Sequence, residues 1–150
     1  MEIRVHEEDF DAGEEIANIR KRSADAGAIV SFLGLVRDFS DGSRVSGMTL
    51  EHYPGMTEKV LRDILDEAGK KWSILDATLI HRVGRLHVSD QIVLVLVASP
   101  HRQDAFRAAE FLIDLLKTKA PFWKKESTPE GERWVDAKES DDIAASRWIE

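Results

Sequence analysis

The chain has 150 residues, of which 43% are hydrophobic and 33% charged, and its formal net charge is −7. This length suits one hydrophobic core, so we expect a single domain over residues 1–150. The absence of cysteine excludes disulfides, thiolate metal ligands and a cysteine nucleophile. An acidic start unlike a secretory signal, and no apolar stretch near the ~18 residues of a membrane span, predict a cytoplasmic protein without membrane contact. The acidic balance, with no long basic stripe, argues against nucleic acid as a partner.

Strand-like and helix-like hydrophobic patterns follow one another along the first half of the chain. We expect strands at residues 3–5, 28–36 and 48–53, the second of them an apolar run that predicts a buried strand. A helix over 13–23 should turn Ile16 and Ile19 inward, and a polar loop with an Asp-Gly turn should follow Asp38. An amphipathic helix is predicted from Met56 to Ala68, with Pro54 at its start.

The second half predicts three consecutive strands, a long helix and a mixed tail. The strands are expected at residues 77–83, 86–88 and 92–98, and the helix at 102–119, where Pro121 prevents its continuation. The apolar surface of this helix is wide, which predicts burial on both sides, under a sheet or against a second copy of the protein. The tail predicts a turn at 128–131, a short strand at 133–137 and a last helix at 141–148. Strands at hairpin spacing that also alternate with helices indicate an α+β fold.

Positive charge is concentrated in one part of this acidic chain. Residues 99–125 hold six cations and three anions, a net charge of +3, which leaves −10 for the rest. Within it, LKTKAPFWKKE (116–126) surrounds a proline and an aromatic pair with four lysines. A solvated lysine face would explain the charge alone, but Phe122 and Trp123 should pack and hold their neighbours against apolar surface. The stretch therefore predicts a site for an anion.

Several basic residues lie where a site would place them, and most of them also have an ordinary explanation. His101 and Arg102 lie between a strand and a helix, where free backbone N–H groups favour an anion, although Arg102 could simply be solvated. Arg37 follows the apolar strand at a sheet end, and could be a surface charge. Lys117 could pair with Asp114. Lys124 has no such partner nearby in sequence, and crowding by cations would lower its pKa.

Common catalytic motifs are missing from the sequence. There is no glycine-rich phosphate loop, no G-x-S-x-G turn and no H-E-x-x-H helix. The five histidines lack ligand spacing, so we expect no metal site and no cofactor. His52 and His81 lie in predicted strands and are most simply core or pairing residues.

Five segments together resemble a known family. They are TLEHYPGMTEK (49–59), IHRVG (80–84), SPHR (99–102), LKTKAPFWKKE (116–126) and TPEGERWV (128–135). The chain from about Ala28 to Trp148 resembles the large, catalytic subunit of molybdopterin synthase. The resemblance implies an α/β hammerhead fold and a homodimer of large subunits, completed to a heterotetramer by two small ubiquitin-like partners. It also implies a sulfurtransferase: two sulfurs pass from the partner's C-terminal thiocarboxylate to cyclic pyranopterin monophosphate, forming the molybdopterin dithiolene.

The resemblance also implies roles for individual residues. Lys117 would lie beside the thiocarboxylate and Lys124 beside the pterin, as the catalytic pair. The pocket and its phosphate grip would add Leu35, Val36, Arg37, His101, Arg102, Lys125 and Glu126. Lys119 and Lys138 stand where arginine is expected, which puts bidentate phosphate contacts from these two in doubt. A chain without cysteine could transfer sulfur only if a partner brings it. Two other classes remain open: a noncatalytic module that binds a ubiquitin-like tail or a small anion, and an anion-sensing regulatory domain.

Overall fold

The computed structural model describes residues 1–40, 42–135 and 139–148 of the chain. Its main sheet has the order β1 (Glu2–His6), β6 (Asp76–Arg82), β8 (Gln91–Ser99), β2 (Ala28–Leu35). β1 runs parallel to β6, and the other pairs are antiparallel. In the described part of the chain β2 therefore forms one edge of this sheet, with β8 as its neighbour.

Helices cover both faces of the main sheet, because alternate residues of a strand point to opposite sides. On one face α1 (Ala12–Arg22) packs Ile19 against Ile80, Leu94 and Leu96. On the other face, α2 (Met56–Lys71) and α3 (Arg102–Lys119) enclose the larger core. That core joins the two helices to the strands through Leu61, Ile64, Leu65, Leu79, Val93, Val95, Val97, Phe111, Leu112 and Leu115.

A second sheet has the order β10 (Gly131–Val135), β9 (Phe122–Thr128), β5 (Gly47–His52), β7 (Gly84–His87), all antiparallel. Its own small core contains Val36, Met48, Leu50, Val83 and Leu86. The chain passes from the main sheet to this one at Gly84, whose φ of 83° few other residues adopt. A β carbon there would also lie 2.8 Å from the carboxylate of Glu7, but that exposed side chain can move, so it is the positive φ that favours glycine.

Two small elements complete the described structure. β3 (Phe39–Ser40) and β4 (Ser43–Arg44) form a hairpin where the polar loop was predicted. The last helix, α4 (Glu139–Ser146), packs on α3. It is held there by Arg147 and by Trp148, whose ring meets Trp72 and Phe111 edge-on at 5.5 Å.

Most predicted elements are confirmed, including the mixed α and β content and the long helix with its limits at 102 and 119. Two expectations are wrong. The strand at 28–36 is only partly buried: Leu33 and Leu35 are 40% and 51% exposed, because both border an open cavity at this end of the edge strand. The segment at 122–128 is a strand that the sequence pattern did not predict, and in it Phe122 packs whereas Trp123 is 49% exposed.

The burial predicted for α3 is confirmed in one of its two alternatives, the one within a single chain. Its apolar surface is covered by the main sheet, α2 and α4 of the same chain, and seven of its residues are buried. Phe106 is the exception among its large apolar residues, at 61% exposed. The helix therefore does not need a second copy of the protein for its burial. The predicted strand at 133–137 ends at Val135, and its last two residues lie outside the described ones.

Candidate functional site

A cavity of about 700 Å³ opens where the two sheets meet the C-terminal end of α3. The chemistry of its wall comes from Arg37, His81, Lys117, Lys124 and Glu126, together with Leu35 and Phe122. These residues belong to four separate stretches of sequence, and Asp141 of α4 adds a second carboxylate from a fifth. The fold therefore brings together most of the residues that the sequence pattern and the resemblance proposed for a site.

Lys117 lies in the last turn of α3, where a cation is favourable beside the helix C-terminus. Its side chain is exposed and borders the cavity. The alternative of a simple pair with Asp114 is not what the structure shows. Asp114 accepts hydrogen bonds from Arg147 and from the indole N–H of Trp148, both at 2.8 Å. Lys117 therefore faces the cavity while its neighbour on the helix anchors the C-terminal segment.

Lys124 reaches the same cavity from β9. Because strand side chains alternate, Phe122, Lys124 and Glu126 point to one side of β9 and Trp123 and Lys125 to the other. The ammonium of Lys125 lies 3.5 Å from the Glu132 carboxylate and 5.0 Å from the centre of the Trp134 ring. The structure thus places Lys125 on the outer face of the sheet and not in the cavity.

Glu126 is 4% exposed and pairs with Arg133, whose Nη2 lies 3.3 Å from Oε1. This neighbour on β10 compensates the one buried carboxylate among the predicted site residues. The wall also holds Asp141, but its cations Arg37, Lys117 and Lys124 outnumber the two carboxylates, which favours an anion.

The segment 35–37 divides its side chains between the cavity and the core. Leu35 and Arg37 are exposed and border the cavity. Val36 is 2% exposed and packs in the core of the second sheet, with its N–H donating to the carbonyl of Asp90. Val36 therefore holds its two neighbours in place and does not itself line the cavity.

His101 and Arg102 lie at the other end of the molecule from this cavity. His101 is the N-cap of α3 and Arg102 its first residue, as predicted, but both are exposed and neither borders the cavity. In the main sheet Ser99 pairs with Ala28 whereas Gln91 pairs with Leu35. Eight residues of extended strand separate these positions by about 26 Å. Within one chain, His101 and Arg102 cannot contact a ligand that lies between Lys117 and Lys124.

His81 was expected to be a core residue, and its position in the cavity wall was not predicted. It is 6% exposed, and its ring stacks on Phe122 with 4.0 Å between centroids. Burial lowers the pKa of His81 to about 4, and the positive charges of Lys124 and Lys117 and the neighbouring His52 act in the same direction. The sequence shows only that His81 lies near the end of an apolar strand. Nothing in that pattern indicates that Phe122 of β9 packs against it.

The remaining predicted residues are also accounted for. Lys119 is exposed and does not border the cavity, and Lys138 lies outside the described residues. Among residues 1–40, 42–135 and 139–148, no cluster of histidine and carboxylate side chains could hold a metal ion. No helix in that part of the chain is long and apolar enough to cross a membrane.

Residues 5–119 match the model of a family described as "MoaE protein". The chain is also 59% identical over 146 residues to the molybdopterin synthase catalytic subunit of Ralstonia nicotianae, covering 97% of this chain and 83% of that one. The chain belongs to the MoaE family. This confirms the resemblance that the five sequence segments indicated.

Solved structures of the MoaE family have the same fold. The molybdopterin biosynthesis MoaE protein of Burkholderia ambifaria superposes with a TM-score of 0.84 at 53% identity, over 97% of this chain and 96% of that one. A more distant structure, from a complex of subunits 1 and 2 of the molybdopterin-converting factor of Helicobacter pylori, has a TM-score of 0.72 at 19% identity. It covers 91% of this chain and 90% of that one. At that identity the likeness concerns the fold.

Proposed function

We propose that this protein is the catalytic subunit of a molybdopterin synthase. It would transfer two sulfurs from the thiocarboxylated C-terminus of a small ubiquitin-like subunit to cyclic pyranopterin monophosphate. The observation that carries the proposal is the meeting of Lys117 and Lys124 in one cavity, from a helix end and a strand that are separate elements. The names of the MoaE relatives support the assignment of the enzyme.

The absence of cysteine decides which part of the chemistry this chain performs. It has no thiol that could carry sulfur, so sulfur must arrive on a partner. What the cavity offers is positive charge beside the apolar ring of Phe122, an arrangement that stabilises negative charge more strongly than water does. The subunit therefore acts by binding, orienting and stabilising charge.

In each transfer, the thiocarboxylate sulfur attacks a side-chain carbon of the pterin. A carbon–sulfur bond forms, and a carbon–oxygen bond at that carbon breaks, with the departing oxygen taking up a proton. Water then cleaves the bond between that sulfur and the partner's acyl carbon, which releases the partner as a carboxylate and leaves the sulfur on the pterin. Negative charge develops on oxygen in both steps. Lys117 and Lys124 can stabilise this charge and transfer protons, as donors positioned on rigid elements. Arg37 at the cavity edge is placed for the substrate phosphate.

A second subunit is part of the proposal. The relative from Ralstonia nicotianae is named a catalytic subunit, and the structure from Helicobacter pylori is a complex of two different subunits. The side of the cavity at the exposed Lys117 leaves an approach for an extended Gly-Gly tail, because glycine lets a backbone lie close against a wall. Two such partners on a dimer of this chain would form a heterotetramer.

We place the homodimer contact at the edge strand β2. This strand has β8 as its neighbour in the described structure, and Leu33 and Leu35 expose apolar surface along it. Such an edge is suited to pairing with a copy of itself about a two-fold axis. Antiparallel pairing would bring Ala28 of one copy beside Leu35 of the other.

This dimer would explain how His101 and Arg102 can take part in a site that they cannot reach within their own chain. Ser99 pairs with Ala28, so the start of α3 from the second copy would approach the cavity of the first within about two strand spacings, or roughly 10 Å. The predicted phosphate contacts of His101 and Arg102 would then be made across the dimer. Each site would be composed of residues from both copies.

A mixed dimer tests the shared site. Lys117→Ala and Arg102→Ala should each nearly abolish activity alone. Co-expressed with different affinity tags and purified as the mixed dimer, they should regain activity, because one of the two sites then has an intact Lys117 and an intact Arg102. Light scattering of the wild-type chain alone should give a dimer. A monomer mass, or no gain in the mixed dimer, would contradict the shared site.

Turnover tests the function itself. Purified protein, thiocarboxylated partner and cyclic pyranopterin monophosphate should together yield a dithiolene product. Omitting any one component should give none. Binding of both ligands without product would identify a noncatalytic module and contradict the proposal.

A further inference from the structure

His81 is a buried titratable residue that the proposed reaction does not use. It is 6% exposed and borders the cavity beside Lys117 and Lys124. Aliphatic or aromatic residues would fill such a place in the sheet without the cost of burying two ring nitrogens. The position of these two nitrogens therefore calls for an explanation.

The hydrogen bond at one nitrogen determines the state of the other. Nδ1 of His81 lies 2.8 Å from the backbone carbonyl oxygen of Arg82. A carbonyl oxygen can only accept, so Nδ1 must carry the proton and donate it. In a neutral ring Nε2 then has a free lone pair. Because Nδ1 is turned back onto the main chain, the distal side of the ring, which bears Nε2, is the side available to the cavity.

Several contacts keep the ring in this neutral form and in this orientation. Burial and the positive charges of Lys124 and Lys117 oppose its protonation, so that the pKa of His81 is about 4. Stacking on Phe122 at 4.0 Å, with 20° between the ring planes, fixes the plane of the imidazole. Nε2 is thus a hydrogen-bond acceptor of fixed direction at neutral pH.

The cations around it have the opposite capacity. Ammonium and guanidinium groups donate hydrogen bonds and cannot accept them, so Arg37, Lys117 and Lys124 can bind phosphate or carbonyl oxygens but not an N–H group. Two carboxylates also border the cavity: Glu126 pairs with Arg133, and Asp141 comes from α4, so the neutral nitrogen acceptor in this wall is His81. A pterin carries N–H groups as well as oxygens, and needs both kinds of partner.

We infer that His81 is a specificity-determining residue, whose Nε2 accepts a hydrogen bond from an N–H or O–H group of the bound heterocycle. The inference rests on the proposed function for the identity of that ligand. A buried acceptor left without its donor costs about 1–3 kcal/mol, so a ligand that lacks the donor should bind roughly 5- to 150-fold more weakly. His81 would thereby select the pterin over other small phosphate esters, which the cations alone would bind.

Nitrogen NMR of the wild-type protein, labelled with ¹⁵N-histidine, tests the acceptor directly. The resonance of His81 Nε2 should be that of an unprotonated ring nitrogen. Cyclic pyranopterin monophosphate should move it toward the hydrogen-bonded position, whereas inorganic phosphate, which can occupy the cations, should leave it in place. A protonated Nε2 in the free protein would overturn the inference, as would turnover of the pterin with an unshifted Nε2. If the pterin does not bind at all, the proposed function fails and the inference fails with it.

Three substitutions separate this role from a structural one. His81→Asn can keep the donation to Arg82 but has no atom at the position of Nε2, and His81→Phe keeps the stacking and neither nitrogen. His81→Gln can place an amide oxygen near the position of Nε2. We expect kcat/KM for the pterin to fall about 10- to 100-fold in the Asn and Phe variants, mainly through KM. The Gln variant should retain most of the wild-type kcat/KM for the pterin.

The KM for the thiocarboxylated partner should stay unchanged in all three variants. His87→Asn, on the exposed side of β7 and away from the cavity, is the matched control and should behave as wild type. A purely structural His81 predicts another order, with Asn or Phe close to wild type and Gln the most impaired. That order would overturn the inference, and unfolding curves show whether each variant is folded.

Discussion

The two faces of the main sheet each carry a cluster of charged side chains, and the two clusters differ in how their charges are matched. Under α1, Arg22 lies 2.8 Å from Asp76 and 3.3 Å from Glu2, and the N-terminal amine lies 3.2 Å from Asp76. Arg4 pairs there with Glu15. On the α3 face, Arg37, Lys117 and Lys124 border an open cavity together with Glu126 and Asp141.

The difference shows what each cluster is for. Opposite charges placed together stabilise the fold and leave little field outside. Burial acts to raise the pKa of Asp76, but the hydrogen bonds from Arg22, the N-terminal amine and the N–H of Ala77 outweigh it, so the pKa lies below its ordinary value. The cavity on the α3 face is open to a ligand, and its three cations outnumber its two carboxylates, which favours an anion. Changes under α1 should therefore affect stability, and changes in the cavity should affect function.

The largest effect is expected for Lys117→Ala. Sulfur transfer should fall by at least about 100-fold, because a positioned donor at developing charge is lost. The unfolding free energy should change by less than about 0.5 kcal/mol, since the side chain is exposed. Product formation measures sulfur transfer, and urea denaturation measures the unfolding free energy. Lys119→Ala, two residues along the chain and outside the cavity, is the control. Near-normal product from well-folded Lys117→Ala protein would remove Lys117 from the mechanism.

The next largest effect is expected in the pH dependence of the unfolding free energy, to which His81 should contribute. The folded-state pKa of His81 is depressed, so the unfolded chain takes up its proton first as the pH falls below 6.5. The stabilisation is complete above that value and is lost towards about pH 4. Between about pH 7 and about pH 5 the wild type should lose about 2 kcal/mol from this residue.

The His81→Phe variant should lose correspondingly less over the same pH range. Urea denaturation of both proteins at the two pH values gives the difference, in which other titrating groups such as Asp76 cancel. Parallel pH curves for the two proteins would show that His81 titrates in the folded protein as it does in the unfolded chain.

Asp76→Asn should break the cluster under α1. The side chain of Asp76 is 9% exposed and accepts from Arg22, so its loss should cost about 2 kcal/mol of unfolding free energy. Turnover at a temperature where the variant is folded should be unchanged. Asp63→Asn, which removes an exposed pair with Lys59, should cost less than about 0.5 kcal/mol. Equal losses from the two variants would show that the cluster under α1 is no more than a set of surface pairs.

The smallest effect is expected for Lys125→Ala. Because Lys125 contacts Glu132 and Trp134 on the outer face of β9, its loss should change kcat/KM for the pterin by less than about twofold. Lys124→Ala, the neighbouring residue on the inner face, should cause a large loss in the same assay. If the two variants were equally impaired, the assignment of the inner face as the catalytic one would be wrong.

Much of the architecture could be read from local patterns. The limits of α3 followed from its apolar periodicity and from Pro121, and the turn at Gly84 from a residue type that tolerates positive φ. The strand β9 was missed because its composition is that of a charged loop. FWKKEST becomes a strand because β5 and β10 pair with it on either side, and a pairing partner as remote in sequence as β5 leaves no local signal.

The candidate site, like the fold, could be predicted only in part from the sequence. The lysines, Arg37 and Glu126 were recognisable from residue type, from charge against an acidic background and from segments shared with a family. Which of them meet was decided by the tertiary structure. The two-residue period of β9 turns Lys124 into the cavity and Lys125 away from it, and the length of β8 separates Arg102 from Lys117. His81 enters the site through its stacking on Phe122, a contact between the two sheets that joins residues remote in sequence. Residue type sets which chemistry is available, and only the distances imposed by the folded chain select the groups that act together.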